Sequence, residues 1–293
     1  MTNRIVTLIA GATASGKSAY AIKCAKEQDA LIINADSMQV YKDLCIISAR
    51  PSPEEEAQAP HFLFGHIDAN ERYSVGRWLD DVAQIIEEHD NNIILVGGTG
   101  LYFKAFLEGL SLVPEVPKTI EDKLTAQWDK EGEDVLIEKL TQVDPHILER
   151  IDILDKHRAI RALGVYEVAG KPMSEFMSEK QSPLAMEFDQ INKHVVHWSR
   201  EKLYERINLR FDLMMGQGAL EEVISLHERG LDESLPAMRA IGVGALIDYH
   251  KGSISLEAAI EDSKQKSRNY AKRQLTWVRN QMADWQKIEG ANL

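Results

Sequence analysis

Near its start the chain reads Gly11-Ala12-Thr13-Ala14-Ser15-Gly16-Lys17-Ser18, which matches the phosphate-binding pattern G-x-x-x-x-G-K-[ST] at every position. The glycines of such a loop let backbone N–H groups converge on phosphate oxygens, and the start of the following helix adds partial positive charge. Lys17 supplies an ammonium group, and the hydroxyl of Ser18 is a ligand for Mg²⁺. These eight residues therefore predict a loop that binds a diphosphate or a triphosphate.

The segments around this loop have the order that such a site requires. A β-branched apolar run over 4–10 predicts a buried strand, and residues 18–26 predict the helix that follows it. The apolar runs 30–35 and 92–96 predict two parallel strands buried on both faces, and the apolar spacing over 74–89 predicts a helix between them. The fold class predicted is α/β, with a P-loop NTPase-like parallel sheet core flanked by helices.

Three loops are expected to face one crevice, because ligands of open α/β sheets bind beyond the carboxyl ends of the strands. They are the phosphate loop, the segment Asp36–Gln39 after the second strand, and the turn Gly97–Gly100 after the third. Asp36 is the one carboxylate that this interpretation places at the crevice. It is either a catalytic group or the start of an Asx turn, and the residues alone leave both interpretations open.

The middle of the chain has a different character. Charged helical stretches over 120–140 and 145–169 contain no strand-like run, so residues 111–190 are predicted to form an inserted all-helical domain. Residues 1–110 and 191–293 then form the core. A strand over 194–198 returns the chain to this core, and a long amphipathic helix from Ser199 and helices over 220–227 and 255–283 follow.

Composition restricts the class of protein. Cys24 and Cys45 are the only two cysteines and have no metal-ligand spacing, so the chain is expected in a reducing cytoplasm, without disulfides or zinc. No run of 18 apolar residues is present and no signal segment begins the chain, so no membrane partner is expected. The formal net charge of −12 disfavours indiscriminate binding to nucleic acid.

One segment is basic, although the chain as a whole carries a net negative charge. Residues 263–280 contain six basic residues and no acidic one, together with Tyr270 and Trp277. They predict either a phosphate-binding surface or a solvated helix face. Arg206 and Arg210 pose a similar choice, because two arginines four residues apart share one helix face and would serve either an anion or a solvated rim.

Six segments of the chain resemble the tRNA dimethylallyltransferases, and together they extend over nearly its whole length. They are 11–18, Ala35-Asp36-Ser37-Met38-Gln39-Val40-Tyr41, 96–105 with Gly97-Gly98-Thr99-Gly100-Leu101-Tyr102, 157–163, 204–210, and Tyr270-Ala271-Lys272-Arg273-Gln274-Leu275-Thr276-Trp277. The phosphate loop alone is generic, whereas the second, third and last segments are specific to the family. The resemblance is to the bacterial form, for which no zinc-finger extension is expected.

The resemblance implies an activity and assigns residues to it. A dimethylallyl group would pass from dimethylallyl diphosphate to N6 of the adenosine 3′-adjacent to the anticodon, in tRNAs that read codons beginning with U. The diphosphate would be bound by Gly11, Ala12, Thr13, Ala14, Ser15, Gly16, Lys17, Ser18, Arg206 and Arg210. Catalysis would rest on Asp36 as the base, with Thr99, Lys17 and Arg210. The expected cofactor is Mg²⁺, held by Ser18.

The implied macromolecular partner is the tRNA anticodon stem-loop, whose adenine must leave its stack to enter the site. The residues implied to contact tRNA are Asp36, Ser37, Met38, Gln39, Thr99, His157, Arg158, Ala159, Ile160, Arg161, Lys272 and Arg273. Glu121, Gly164 and Gly244 differ from the family pattern, and the differences concern contacts to tRNA rather than the phosphate loop. A monomer is expected.

Two other functions fit part of the sequence. A small-molecule kinase would use the phosphate loop equally well, but the strand ending at Val96 delivers Gly97-Gly98-Thr99-Gly100 instead of a metal-binding carboxylate. A nucleotide-dependent switch or tRNA-binding module without catalysis would leave Asp36 without a role.

Overall fold

The structure is a computed structural model that describes residues 4–149 and 155–292. Residues 150–154, which fall inside the helical stretch predicted over 145–169, lie outside the described residues. The described chain forms two compact units, one from Met1–Leu107 with Leu184–Leu293 and one from Glu108–Pro183. We call them the core unit and the insert. The return to the core at residue 184 precedes the predicted boundary because Phe188 packs beside Phe106 and under the guanidinium of Arg4.

The core unit contains one six-stranded sheet in which all paired strands are parallel. Its strands are β1 (Ile5–Gly11), β2 (Ala30–Asn34), β3 (His61–Phe62), β4 (Asn92–Gly97), β5 (Gln190–His197) and β6 (Gln286–Glu289). Their order across the sheet is β3-β2-β4-β1-β5-β6, which places β1 between β4 and β5. The fold class predicted from the sequence, a parallel α/β sheet of the P-loop type, is confirmed.

The central strands are buried because helices cover them. Every residue of β2 is buried, and so is all of β1 after Ile5. The core helices are α1 (Lys17–Gln28), α2 (Pro53–Glu56), α3 (Val75–Glu88), α4 (Gly100–Glu108), α9 (Arg200–Gly216), α10 (Ala219–Glu228), α11 (Val243–His250) and α12 (Leu256–Gln281). Helix α3 begins at a Ser74 cap and buries Trp78, Leu79, Val82, Ile85 and Ile86, the residues whose spacing predicted it.

The insert contains four α-helices and one 3-10 helix, Pro145–Glu149, among its described residues. The α-helices are α5 (Lys118–Glu131), α6 (Glu133–Val143), α7 (Lys156–Ala169) and α8 (Met173–Phe176). Leu124, Leu136, Leu140 and Leu163 lie in its apolar core. The buried carboxylate of Asp144 accepts hydrogen bonds from the N–H groups of Ile147 and Ser174, at 3.2 and 2.9 Å. This acceptor satisfies two backbone donors in the interior of the insert.

The insert also shows how two positions that differ from the family pattern, one at a helix start and one buried, are used. Glu121 lies in the first turn of α5, where a negative charge is favourable to the helix dipole. Gly164 lies buried in α7, and a Cβ there would be 2.6 Å from Cγ1 of Val116. The glycine therefore allows Val116 to approach the helix.

In the described residues no helix is both long and apolar enough to span a bilayer.

Candidate active site

The phosphate loop has the strand–loop–helix arrangement that its sequence predicts. It leaves the carboxyl end of β1 at Gly11 and enters α1 at Lys17. The N–H of Ser15 donates to the carbonyl of Ala12 at 3.1 Å, and the backbone is left-handed at Ala14 and Gly16, with φ of 64° and 90°. The loop therefore curls around the start of α1, where backbone N–H groups are available to an anion.

Side chains from remote parts of the chain hold this loop in place. The indole N–H of Trp198, just after β5, donates to the carbonyl of Ser15 at 2.8 Å. In α9, Nε of Arg206 donates to the carbonyl of Ala14 at 2.8 Å, and the Arg210 guanidinium donates to the hydroxyl of Thr13. The guanidinium of Arg206 also lies 4.5 Å above the ring of Trp198. Arg206 and Arg210 thus both contact the phosphate loop, Arg210 from a half-buried position and Arg206 from an exposed one.

Two cations at the phosphate loop, Lys17 and Arg210, are largely withdrawn from water. Burial lowers the pKa of Lys17 to about 8, although the charge of Asp36 opposes the shift. Burial likewise lowers the pKa of Arg210 to about 10, again opposed by Asp36. Cations withdrawn from water interact strongly with any anion that reaches them, because little solvent screens the charge. The loop is therefore prepared for a group that carries more than one negative charge.

A cavity of about 630 Å³ opens beside the loop, and we call it the phosphate-loop cavity. Its charged lining residues are the cations Lys17, Arg50, Arg206 and Arg210 and one carboxylate, Glu55. This positive lining lies within a chain whose net charge is −12. The local field, and not the field of the whole molecule, decides what binds there.

Asp36 lies at the carboxyl end of β2, as predicted. Its Oδ1 accepts a hydrogen bond from the N–H of Met38 at 2.9 Å, so the Asx turn is present. Among the described residues Oδ2 accepts no hydrogen bond. A Cβ at Gly98 would lie 3.4 Å from that oxygen. Asn34 braces the backbone of Asp36, accepting from its N–H at 2.8 Å and donating to its carbonyl at 2.9 Å. The carboxylate is therefore held in one orientation.

Thr99 follows β4 and meets the segment after β2. Its hydroxyl accepts from the N–H of Ser37 at 3.0 Å, and its own N–H donates to the carbonyl of Ala35 at 3.2 Å. Tyr270 in α12 lies near the same groups: burial raises its pKa, the charge of Asp36 raises it further, and the Thr99 side chain opposes the shift. Asp36, Thr99 and Tyr270 consequently form one polar group at the carboxyl edge of the sheet.

A second cavity, of about 280 Å³, contains Asp36, and we call it the Asp36 cavity. Its apolar lining includes Met38, Ile47, Ile207, Phe211 and Ile241, and its polar lining includes Asp36, Ser37, Arg210, Tyr270 and Arg273. Arg210 and Met214 line this cavity and the phosphate-loop cavity alike. The two cavities are therefore neighbours that share a wall; the Asp36 cavity contains the Asp36 carboxylate together with Arg210, Arg239 and Arg273.

A turn over 45–50 contributes lining residues to both cavities and lies between them. Glu222 in α10 accepts the N–H groups of Cys45, Ile46 and Ile47, at 2.8, 2.8 and 2.9 Å. From the other side, the buried amide of Gln39 donates to the carbonyls of Ser48 and Ala49. Gln39 lines the phosphate-loop cavity, whereas Ser37 and Met38 line the Asp36 cavity.

The remaining residues predicted to bind tRNA lie in two places. Lys272 and Arg273 are exposed on α12 and line a groove of about 530 Å³ along that helix. In the insert, His157 and Arg158 are exposed at the start of α7, and Arg161 donates to the carbonyl of Pro114 at 3.0 Å. The side chains of Ala159 and Ile160 are packed in the insert's core, so they leave only backbone atoms for RNA.

Sequence reasoning assigned no individual role to three residues that shape the site: Gln274, Tyr270 and Glu222. Gln274 and Tyr270 stand in the quoted segment 270–277, and their signal was the presence of polar residues in a predicted helix stripe. Glu222 had no such signal, because its three backbone partners lie about 175 residues earlier in the chain.

No cluster of three or more His, Cys, Asp or Glu side chains in the described ranges is arranged to hold a metal ion. Ser18 is half-buried and lines the phosphate-loop cavity. Mg²⁺ commonly binds through one or two protein oxygens together with substrate phosphates and water, rather than in a cage of protein ligands. The residues present fit a cation that arrives with a diphosphate.

Comparison with known proteins was made by sequence and by structure. A sequence model of the IPP transferase family matches residues 39–281. A tRNA dimethylallyltransferase from Bartonella henselae is 46% identical over 282 residues, which cover 96% of this chain and 97% of the relative. A tRNA dimethylallyltransferase from Bradyrhizobium sp. is 45% identical and covers 97% of this chain and 94% of its own length.

Solved structures are similar over the same extent. The tRNA isopentenylpyrophosphate transferase from Bacillus halodurans superposes with a TM-score of 0.68 at 32% identity, covering 98% of this chain and 90% of its own. A eukaryotic dimethylallyltransferase acting on tRNA gives a TM-score of 0.83 at 28% identity, covering 98% of this chain and 74% of that chain. The similarity thus includes the insert as well as the core unit.

Proposed function

This chain belongs to the IPP transferase family, and we propose that it transfers the dimethylallyl group of dimethylallyl diphosphate to an adenine amine of tRNA. One observation carries the proposal. A cavity lined by cations and a cavity containing a carboxylate share Arg210 and Met214 as a common wall. A donor that leaves as an anion and an acceptor that must lose a proton can therefore meet at that wall.

The donor end of the reaction needs charge stabilisation. The allylic C–O bond breaks with its electron pair leaving on diphosphate, so preorganised cations and N–H groups lower the barrier. Lys17, Arg206 and Arg210, with the phosphate-loop backbone, are suited to that task. Mg²⁺, held by the Ser18 hydroxyl and diphosphate oxygens, would neutralise further charge on the leaving group.

The acceptor end needs a base. The exocyclic amine of adenine is a weak nucleophile because its lone pair is delocalised into the ring. As the nitrogen forms its bond to the allylic carbon, its proton passes to Oδ2 of Asp36, which the structure leaves without a hydrogen bond among the described residues. The Asx turn fixes Oδ1, and the Thr99 hydroxyl lies beside the same segment.

The adenine reaches this carboxylate only after it leaves its stack in the RNA. The apolar walls of the Asp36 cavity, with Met38 and Phe211, suit a flat base, and the polar groups of Ser37 and Tyr270 suit its edge. The implied base is the adenosine 3′-adjacent to the anticodon. Arg158 in the insert and Lys272 and Arg273 in α12 are exposed cations suited to the RNA backbone.

We further propose that the chain acts as a monomer in the cytoplasm, where its tRNA substrate is present. The comparisons favour prenyl transfer over phosphoryl transfer by a kinase. The cluster Lys17, Arg206 and Arg210 would serve either reaction, so the two are separated by the product.

The deciding experiment incubates the purified chain with unmodified tRNA, Mg²⁺ and dimethylallyl diphosphate, and then measures the mass of the nucleosides. The expected result is one adenosine per tRNA heavier by a dimethylallyl group, together with release of diphosphate. A parallel incubation replaces dimethylallyl diphosphate with ATP. ADP production without any nucleoside of increased mass would contradict the proposal and favour a kinase.

A further inference from the structure

Gln274 lies on α12 with 7% of its surface exposed and links two loops of the site. Its Oε1 accepts the N–H of Thr13 in the phosphate loop at 2.8 Å. Its Nε2 donates to the carbonyl of Gly98, in the turn after β4, at 3.0 Å. The two partners lie 261 and 176 residues away in the sequence. One side-chain amide thus joins the donor-binding loop to the turn that carries Thr99.

The contact with Gly98 is so close that a side chain at that position would displace the Gln274 amide. A Cβ on Gly98 would lie 2.2 Å from Nε2 of Gln274 and 3.4 Å from Oδ2 of Asp36. The amide, the Gly98 backbone and the Asp36 carboxylate are therefore packed against one another. A shift of the amide would move the turn that borders the proposed base.

We infer that Gln274 is a positioning residue that sets the distance between the bound diphosphate and the Asp36–Thr99 group. This inference rests on the proposed function, because it concerns the reaction that the two groups share. Gln274 lines neither of the two cavities, so it acts through its partners and not on the substrates. A buried amide that is both donor and acceptor has one orientation here, and only that orientation satisfies Thr13 and Gly98.

Two substitutions separate this role from ordinary packing. Gln274→Met keeps the length of the side chain and removes both hydrogen bonds. Gln274→Glu keeps the shape and the acceptor toward Thr13, but its carboxylate places a second acceptor against the carbonyl of Gly98. Protonation of that carboxyl would supply the missing donor and restore both bonds.

The introduced carboxyl would titrate among several charged groups. Burial and the charge of Asp36 would raise its pKa, whereas nearby cations would lower it. The charged and titratable groups on the elements that form the site are Lys17 in α1, Asp36 after β2, Arg206 and Arg210 in α9, and Tyr270 and Arg273 in α12. Because wild-type activity also varies with pH, the ratio of variant to wild-type activity is the quantity to follow.

The test measures single-turnover prenyl transfer by the full chain, its Gln274→Met and its Gln274→Glu variants, between about pH 5.5 and about pH 8. We expect Gln274→Met to be slower than wild type by about 10- to 100-fold, with a ratio that does not change with pH. Near pH 8 the ratio of Gln274→Glu to wild-type activity should be as low as the ratio for Gln274→Met. It should rise at least about fivefold as the pH falls. Gln84→Glu, on the exposed face of α3, controls for added charge and should follow wild type throughout.

Two outcomes would overturn the inference alone while the wild type remains active. They are a Gln274→Met rate within about twofold of wild type, and a Gln274→Glu ratio that stays flat across the pH range. A variant that had merely unfolded would lose activity at every pH and could not recover in acid. A wild-type chain that transfers no prenyl group would instead overturn the proposed function, and this inference with it.

Discussion

Asp36 shows how one side chain can satisfy two interpretations of the same sequence. The residues alone left open whether it begins an Asx turn or acts as a base. The structure uses Oδ1 for the turn, through the N–H of Met38, and directs Oδ2 toward Gly98. The turn is what holds the carboxylate still, so the local role supports the catalytic one. The sequence could place Asp36 at the edge of the sheet. It could not show which carboxylate oxygen forms the turn and which one is left to accept a proton.

Asp36→Asn should abolish most of the prenyl transfer while preserving the local fold. The amide oxygen of asparagine can still accept from Met38, but the variant has no carboxylate to take the proton, so the rate should fall by about 10²- to 10⁴-fold. Single-turnover kinetics would measure the rate, and tRNA affinity should be unchanged. Asp232→Asn is the matched control, because Asp232 accepts from the N–H of Ser234 in an exposed turn. Equal rates in the two variants would contradict the role of Asp36.

Lys17 should make the capture of dimethylallyl diphosphate depend on pH. Its pKa is lowered to about 8 by burial, so the ammonium is present below that pH and is lost above it. We therefore expect kcat/KM for dimethylallyl diphosphate to be level below about pH 7, to reach half of that level near pH 8 and to fall further as the pH rises. This parameter reports ionisations of the free enzyme.

Lys17→Met should lower the same kcat/KM by about 10²- to 10³-fold and remove its decline in alkali. Lys23→Met, on the exposed side of α1, should leave both the value and the profile unchanged. An alkaline decline that persists in the Lys17→Met variant would show that another group is responsible.

At the scale of elements, the strands divide into those that sequence predicts and those that it does not. β1, β2 and β4 are buried on both faces and appear as continuous apolar runs. β3 has two residues, and β6 reads Gln-Lys-Ile-Glu with mostly exposed side chains, so neither carries a hydrophobic pattern. Both lie at the edges of the sheet, where short and charged strands are common. β5 begins at Gln190, four residues before its apolar part, because backbone pairing with β1 extends beyond the buried residues.

Helix α7 offers a test of the fit between Gly164 and Val116. Alanine is favoured over glycine in a helix by about 1 kcal/mol, but its Cβ would lie 2.6 Å from Cγ1 of Val116. Since valine cannot rotate freely, Gly164→Ala should destabilise α7 by about 1 to 3 kcal/mol. Hydrogen exchange of the α7 amides would measure this local stability.

The sign of that effect should reverse once the opposing side chain is shortened. In a Val116→Ala background the clash is gone, so Gly164→Ala should stabilise α7 by up to about 1 kcal/mol. The double-mutant cycle thus has a large coupling energy. Additive effects of the two substitutions would mean that Val116 does not set the requirement for glycine.

At the scale of the whole molecule, the site depends on contacts that no local pattern reveals. The phosphate loop is braced by Trp198, Arg206, Arg210 and Gln274, all from the second half of the chain. Sequence predicted the loop, its flanking strand and helix, and the arginine pair, because each has a short-range signature. The partners of Gln274 could not be predicted, because they depend on where α12 crosses the edge of the sheet.

The contrast between an acidic molecule and a basic helix predicts how tRNA binding responds to salt. Affinity should fall steeply between about 50 and about 200 mM salt, because phosphate contacts release counterions from RNA. Lys272→Ala and Arg273→Ala should each reduce the slope of log affinity against log salt by about one. Filter binding of a tRNA anticodon stem-loop would measure it. Lys287→Ala, exposed on β6, should leave the slope unchanged, and a flat wild-type affinity would contradict the assignment.

The core unit is assembled from both ends of the chain, and this affects the protein while it is being made. The ribosome releases Lys17 and Asp36 early, whereas Arg210 and Gln274 emerge only after the insert. A nascent chain therefore carries the anion-attracting loop long before it has the groups that brace it. Competence to modify RNA therefore requires the part of the chain that follows the insert, and a chain truncated before Arg210 is expected to be inactive.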